Sequence, residues 1–204
     1  MRSFIGLLFG TLFTLAIVFG SPSMAQNLQF GEQSFTEYEA YLHPAQELGP
    51  PSGSKAKGYG RLRFPKNLTK GDINVEISGI DPVNVTAFHI HCGTPDVLGP
   101  IIVNFDQFGD YKNTIKNGRF SASVTNDKLT FVKQPPPPPS LSGGFKLPLP
   151  EGCPSDIIIP AQINTIAGME ALARKGVLYF NLHTKGHEFY GEMRGQIYPV
   201  EKKS

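Results

Sequence analysis

Glycine and proline interrupt this chain so often that only short elements fit between them. There are 22 glycines and 18 prolines among 204 residues. Glycine breaks regular structure by its conformational freedom, proline by its fixed φ and missing N–H. The segments left between them alternate apolar and polar residues and are rich in aromatic and β-branched side chains, the pattern of half-buried strands. Eight such segments predict strands over 34–42, 58–64, 73–78, 85–92, 100–105, 119–125, 176–183 and 191–198. Strands in this number, separated by turn signals, predict an all-β fold: a Greek-key antiparallel β-sandwich or flattened barrel. One short helix is expected over 164–175. There Ile166, Met169, Leu172 and Ala173 share a face, Asn164 or Thr165 can cap the start, and Gly176 can end it.

Two stretches depart from this rhythm. Residues 1–25 have the layout of a secretory signal peptide: Arg2, an uncharged apolar run over 4–19, and a small-x-small site at Ser23-Met24-Ala25. The run is short of the roughly 20 residues that a spanning helix needs; an uncleaved N-terminal anchor is the alternative. Cleavage before Gln26 leaves one domain over 26–204, secreted or periplasmic, with no later segment apolar enough to span a membrane. Residues 133–160 hold the run Pro135 to Pro139, then Gly143-Gly144, Pro148, Pro150 and Pro154. Consecutive prolines favour an extended polyproline II path and exclude a central strand, so this segment reads as a proline-rich surface excursion.

The formal net charge of +2 has no basic stripe behind it, which makes nucleic acid a poor partner. Cys92 and Cys153 are the whole cysteine inventory. In an exported chain two cysteines most often form one disulfide. The alternative makes Cys92 a thiolate ligand beside its neighbouring histidines.

Those histidines carry the chemistry. Over 85–92, period two puts Val85, Ala87, His89 and His91 on one face and Thr86, Phe88, Ile90 and Cys92 on the other. Phe88 and Ile90 mark the inward face, so His89 and His91 are expected to project outward and Cys92 inward. Over 176–183, Leu178, Phe180 and Leu182 take the inward face, and His183 falls outward with Val177, Tyr179 and Asn181. Over 191–198, Met193 and Ile197 suit the core, leaving Glu192, Arg194 and Gln196 outside. If these three strands are neighbours, three imidazoles converge. Imidazole suits zinc, copper, iron and nickel, and copper or zinc is the candidate cofactor. His187, four residues past His183, is a candidate fourth ligand; His43, ahead of Pro44, is a weaker one. The plain alternative is a set of solvated histidines on an outer sheet face.

Three motifs make the chain recognisable: YLHPAQELGPP over 41–51, VTAFHIHCGTPDVLGPIIVNF over 85–105, and ALARKGVLYFNLHTKGHEFYGEMRGQI over 171–197. With these the chain resembles the CHRD domain family, found in chordin and in many exported microbial proteins, over essentially 35–198. The family has no assigned biochemical activity, so the resemblance brings none, and the proline-rich excursion lies outside it. A fainter likeness is to copper/zinc superoxide dismutases. Phe88-His89-Ile90-His91 is similar to their copper strand, and GVLYFNLHT to the later strand that brings a further copper histidine. That likeness implies His89, His91 and His183 as copper ligands, with Arg194 as an anion-guiding residue beside the open position. A bridging histidine and a His/Asp zinc cluster are both missing from the pattern.

Three classes of function follow. The first is an exported module that binds a single metal ion, copper or zinc, and serves metal handling or an interaction with an extracytoplasmic protein. The second is a metal-free interaction or structural domain in which Thr184, Asn181 and Arg194 form a packed polar network. The third is a copper-only, superoxide dismutase-like oxidoreductase. No Gly-x-Ser-x-Gly elbow, phosphate-binding glycine loop or Cys-x-x-Cys pair is present. Glu47 and Glu192 are expected to satisfy backbone or arginine groups rather than act as an acid–base pair.

Overall fold

A computed structural model describes residues 34–129, Cys153 and 165–201. The expected signal peptide, and the proline-rich excursion apart from Cys153, lie outside the described residues. Eight strands are present: β1 (Phe35–Leu42), β2 (Lys57–Pro65), β3 (Gly71–Ser78), β4 (Val85–Cys92), β5 (Ile101–Asn104), β6 (Arg119–Val124), β7 (Leu178–Thr184) and β8 (Met193–Pro199). They answer one for one to the eight expected segments. The helices are α1 (Tyr111–Thr114), a single turn that the sequence pattern does not signal, and α2 (Ile166–Arg174). Thr165 caps α2 by accepting the Gly168 N–H at 3.0 Å, and Gly176 leaves it at φ 68°. No described helix is long and apolar enough to cross a membrane.

The fold is all-β, as expected. The strands join antiparallel into one sheet in the order β5-β4-β7-β8-β1-β2-β3-β6, curled into a half-barrel. The seam between its two halves is short. β1 pairs in register with β8 at Tyr38↔Pro199 and Glu39↔Tyr198, and beyond them a bridge joins His43 to Arg194. The inner face is the apolar core, where Phe88 of β4 meets Phe105, Phe120 of β6 and Phe180 of β7 at centroid distances of 4.8, 5.4 and 5.9 Å. The curl requires close approach at one point: a Cβ on Gly60 would stand 2.7 Å from the Phe180 ring. Cys92 lies in this core, as alternation predicts. Its Sγ is 2.06 Å from that of Cys153, with Cα atoms 5.8 Å apart, which removes it as a thiolate ligand.

The outer face divides in two. Over β1, β2, β3 and β6 it is open to solvent, with polar residues alternating against the core set. Over β7 the alternation of burial disappears, and all seven residues are buried. This corrects the expectation of solvated outward histidines. The assignment of faces holds, but the outer face of β4, β7 and β8 is itself covered. The turn over 93–100 is pinned across it by side chains that reach up from the strands. Arg194 donates to the Val97 and Thr94 carbonyls at 3.0 and 2.6 Å, and Gln196 donates to Gly93 O at 2.9 Å. The Tyr179 hydroxyl accepts the Gly99 N–H at 3.1 Å. Nearby, Glu47 bonds Asn181 at 2.9 Å. The result is a second, polar core behind the apolar one.

Candidate metal centre

β4 and β7 are direct neighbours, which brings the three strand histidines together. The register sets His89 opposite Asn181, His91 opposite Tyr179 and Ala87 opposite His183. Ala87 is the small residue of the row, so His183 faces a gap toward which its ring can lean to meet His89. The ring centroids of His89 lie 5.2 Å from those of both His91 and His183, and His91 to His183 is 6.5 Å. One nitrogen from each ring falls within 4.8 Å of the other two. All three residues are buried, at 8% (His89), 1% (His91) and 5% (His183) relative exposure.

Second contacts fix the orientation of His91. Its Nδ1 lies 2.9 Å from Gly99 O. A carbonyl only accepts, so Nδ1 carries the proton and Nε2 is the basic nitrogen. The ring also stacks on Tyr179, with centroids 4.9 Å apart and planes at 12°. His89 Nδ1 and both ring nitrogens of His183 are buried without a hydrogen-bond partner among the described residues. Buried polar atoms are rarely left so.

Burial keeps the rings neutral. Desolvation, with His183 adding to it, lowers the His89 pKa from 6.5 to about 3. Desolvation also holds His91 well below the ordinary imidazole value, with His89 as the second cause. His183 is lowered by burial, against the opposing pull of backbone groups at Glu188 and His187 and of the Asp106 and Glu188 carboxylates. Neutral imidazole is the form that ligates metal.

The other candidates fall elsewhere. His187 is not brought into the trio: its Nδ1 sits 2.7 Å from Glu192 Oε2, which also accepts from the Thr184 hydroxyl at 2.8 Å. His43 is exposed, and its Nδ1 accepts the Ala45 N–H at 3.1 Å. Arg194 is 1% exposed, with its guanidinium carbon 3.4 Å from the centroid of the Tyr179 ring. It is tied to loop carbonyls and does not stand at an open position beside the histidines. Among the described residues neither Glu47 nor Glu192 has the expected hydrogen bond to arginine or backbone, although the charge of Arg194 acts on Glu47. Each is held by side chains: Asn181 for Glu47, Thr184 and His187 for Glu192. Burial pushes the Glu47 carboxyl from 4.5 up to about 8, against the pull of Arg194 and of the Asn181 hydrogen bond. Sequence reasoning missed the covering turn over 93–100 and the part of Tyr179, which offers its ring to His91 and Arg194 and its hydroxyl to Gly99.

The model of the CHRD domain matches residues 38–197 of the chain. The protein belongs to the CHRD domain family. Within that match lie all eight strands except the ends of β1 and β8, and all three buried histidines. Neither the curated proteins nor the solved structures searched contain a match to this chain.

Proposed function

We propose that this CHRD domain binds a single metal ion, copper or zinc, through His89, His91 and His183, and acts in metal handling or in metal-supported interaction outside the cytoplasm. The observation that carries this reading is the convergence of three buried imidazoles, two of which have ring nitrogens lacking a partner among the described residues. A borderline ion such as copper or zinc satisfies those lone pairs with the donor type it favours. His91 is already oriented by Gly99 O and Tyr179, the kind of outer support that fixes which nitrogen faces an ion. The Cys92–Cys153 pair at bonding distance supports an oxidising compartment. When bound, the ion would supply Lewis acidity or, for copper, one-electron chemistry. The chain's own residues orient the ligands and restrict water.

Calorimetric titration of copper or zinc into the metal-free protein tests the proposal. One ion is expected per chain, and none after His89→Ala combined with His91→Ala. Unchanged binding in that double variant overturns the site.

The metal-free reading draws on the polar network around Arg194, Asn181 and Thr184. It predicts protein isolated from its own compartment without stoichiometric metal. An oxidoreductase reading has less support, because Arg194 is engaged with Thr94 and Val97 rather than free to guide an anion.

A further inference from the structure

If the three histidines hold a metal ion, their surroundings also choose which one. Imidazole is a borderline donor that copper and zinc both accept, so the choice falls to charge and to the number of ligands. Each of His89, His91 and His183 offers one ligand atom, and among the described residues no cysteine or carboxylate joins the group. Three neutral rings bring no negative charge. An ion bound there keeps its full charge inside the fold, one unit for copper(I) and two for copper(II) or zinc(II). The solvation lost on burying an ion scales with the square of its charge, so the divalent ions lose about four times as much.

The neighbouring charged groups do not make up that difference. Burial, His89, His183 and the Arg194 guanidinium all disfavour positive charge at His91, and Arg194 is itself buried. Burial pushes the Glu47 carboxyl up to about 8, so it carries its proton at neutral pH. Glu192 is engaged with His187 and Thr184. The Asp106 and Glu188 carboxylates favour charge at His183 against its burial, but both are exposed, where water and salt screen them. Each also accepts a hydrogen bond already, Asp106 from the Tyr111 hydroxyl and Glu188 from the Gly186 N–H. Coordination number points the same way. Zinc takes four ligands and completes three protein ones with a water in an open position. His187, the expected fourth ligand, is turned to Glu192, and all three histidines are buried, so that water would have to be buried as well. Copper(I), a closed-shell monovalent ion, is satisfied by three nitrogens. We propose that the trio holds copper as copper(I), in preference to both zinc(II) and copper(II); this rests on the metal-binding reading above.

Anaerobic titration of the metal-free full chain into the coloured copper(I)–bicinchoninate complex tests this. The parent should withdraw one copper(I) per chain, and a roughly hundredfold excess of zinc should leave that withdrawal unchanged. In voltammetry the bound copper couple should lie above that of the aqueous ions, since a site that binds the reduced ion more tightly raises the potential. This second measurement uses the parent alone and does not depend on how any variant folds. The preference for copper(I) is overturned, with the metal site left standing, if zinc displaces the copper(I), if zinc alone binds, or if the couple lies below the aqueous one. The metal site is overturned too if the parent takes up neither copper(I) nor zinc, or if the His89→Ala, His91→Ala double variant withdraws as much copper(I) as the parent.

Discussion

Glu47→Gln should make the protein more resistant to alkaline conditions, although it removes a carboxylate from a site that faces a cationic arginine. Glu47 Oε1 accepts from Asn181 Nδ2 at 2.9 Å, and its Oε2 is buried without a partner among the described residues. Burial lifts the carboxyl from 4.5 to about 8. The native pKa therefore lies above the unfolded one, so the folded state holds the proton more tightly. That preference is complete below the unfolded value and is lost as pH rises through about 8. Between pH 6 and pH 9 the linkage integral amounts to about 3 kcal/mol of lost stability. Glutamine keeps the shape and an acceptor for Asn181 but cannot ionise, so it should not show the loss. Urea unfolding of both proteins at pH 6, 7.5 and 9 checks this. The stability difference should move by about 3 kcal/mol in favour of the variant across that range. His89, whose pKa is lowered rather than raised, contributes equally to both proteins, so its titration cancels in their difference. Parallel stability curves for parent and variant would refute the reasoning.

Three further outcomes are expected. In the metal-free protein His89 stays neutral when folded, at about 3, but titrates near 6.5 when unfolded; stability present above 6.5 is lost as pH falls. The loss from this residue is about 2 kcal/mol between pH 7 and 5, visible as a steeper acid decline than in His89→Gln. Arg194→Met strands the Val97 and Thr94 carbonyls under the covering turn. It should cost about 2–4 kcal/mol and speed amide hydrogen exchange over 93–100, whereas Tyr41→Ala should do neither. Reducing the Cys92–Cys153 link, which spans 61 residues, should lower stability by about 4 kcal/mol, read as a fall in the urea midpoint between oxidised and reduced samples.

The strands were legible because each carries its own local evidence. In β3, GDINVEIS alternates burial residue by residue, and the pattern gives the strand and its end at Ser78, while the start at Gly71 lies two residues ahead of the expected Ile73. Helix α2 was equally plain, with Ile166, Met169, Leu172 and Ala173 all buried. The one-turn α1 was not, because four residues cannot display a helical period. Its start is set by a local contact, Asp110 accepting the Lys112 N–H at 3.0 Å, and its packing by the Tyr111 hydroxyl, which accepts the Phe88 N–H at 2.8 Å.

The site was half legible for a different reason. Alternation tells which residues share a face, so His89, His91 and His183 could be grouped before any fold was known. It does not tell what lies over that face. The cover is the turn over 93–100, rich in glycine and proline and without period, so nothing in it announces a burial partner. The announcement sits instead on the strands. Arg194, Gln196 and Asn181 are long or forked donors on a single face, and each is spent on a loop carbonyl or a loop carboxylate. A solvated sheet face has no need for donors in that concentration, since water satisfies any polar side chain. A covered face does, because the irregular turn above it presents carbonyls that no ladder can pair and that burial makes costly to leave alone. The same requirement orients the candidate ligands. Gly99 O must be paired, His91 Nδ1 pairs it, and the basic Nε2 is thereby turned away from the turn. The polar lid and the disposition of the imidazoles are thus one piece of structure. A variant that loosens the turn at Arg194 should loosen metal affinity as well, without touching a ligand.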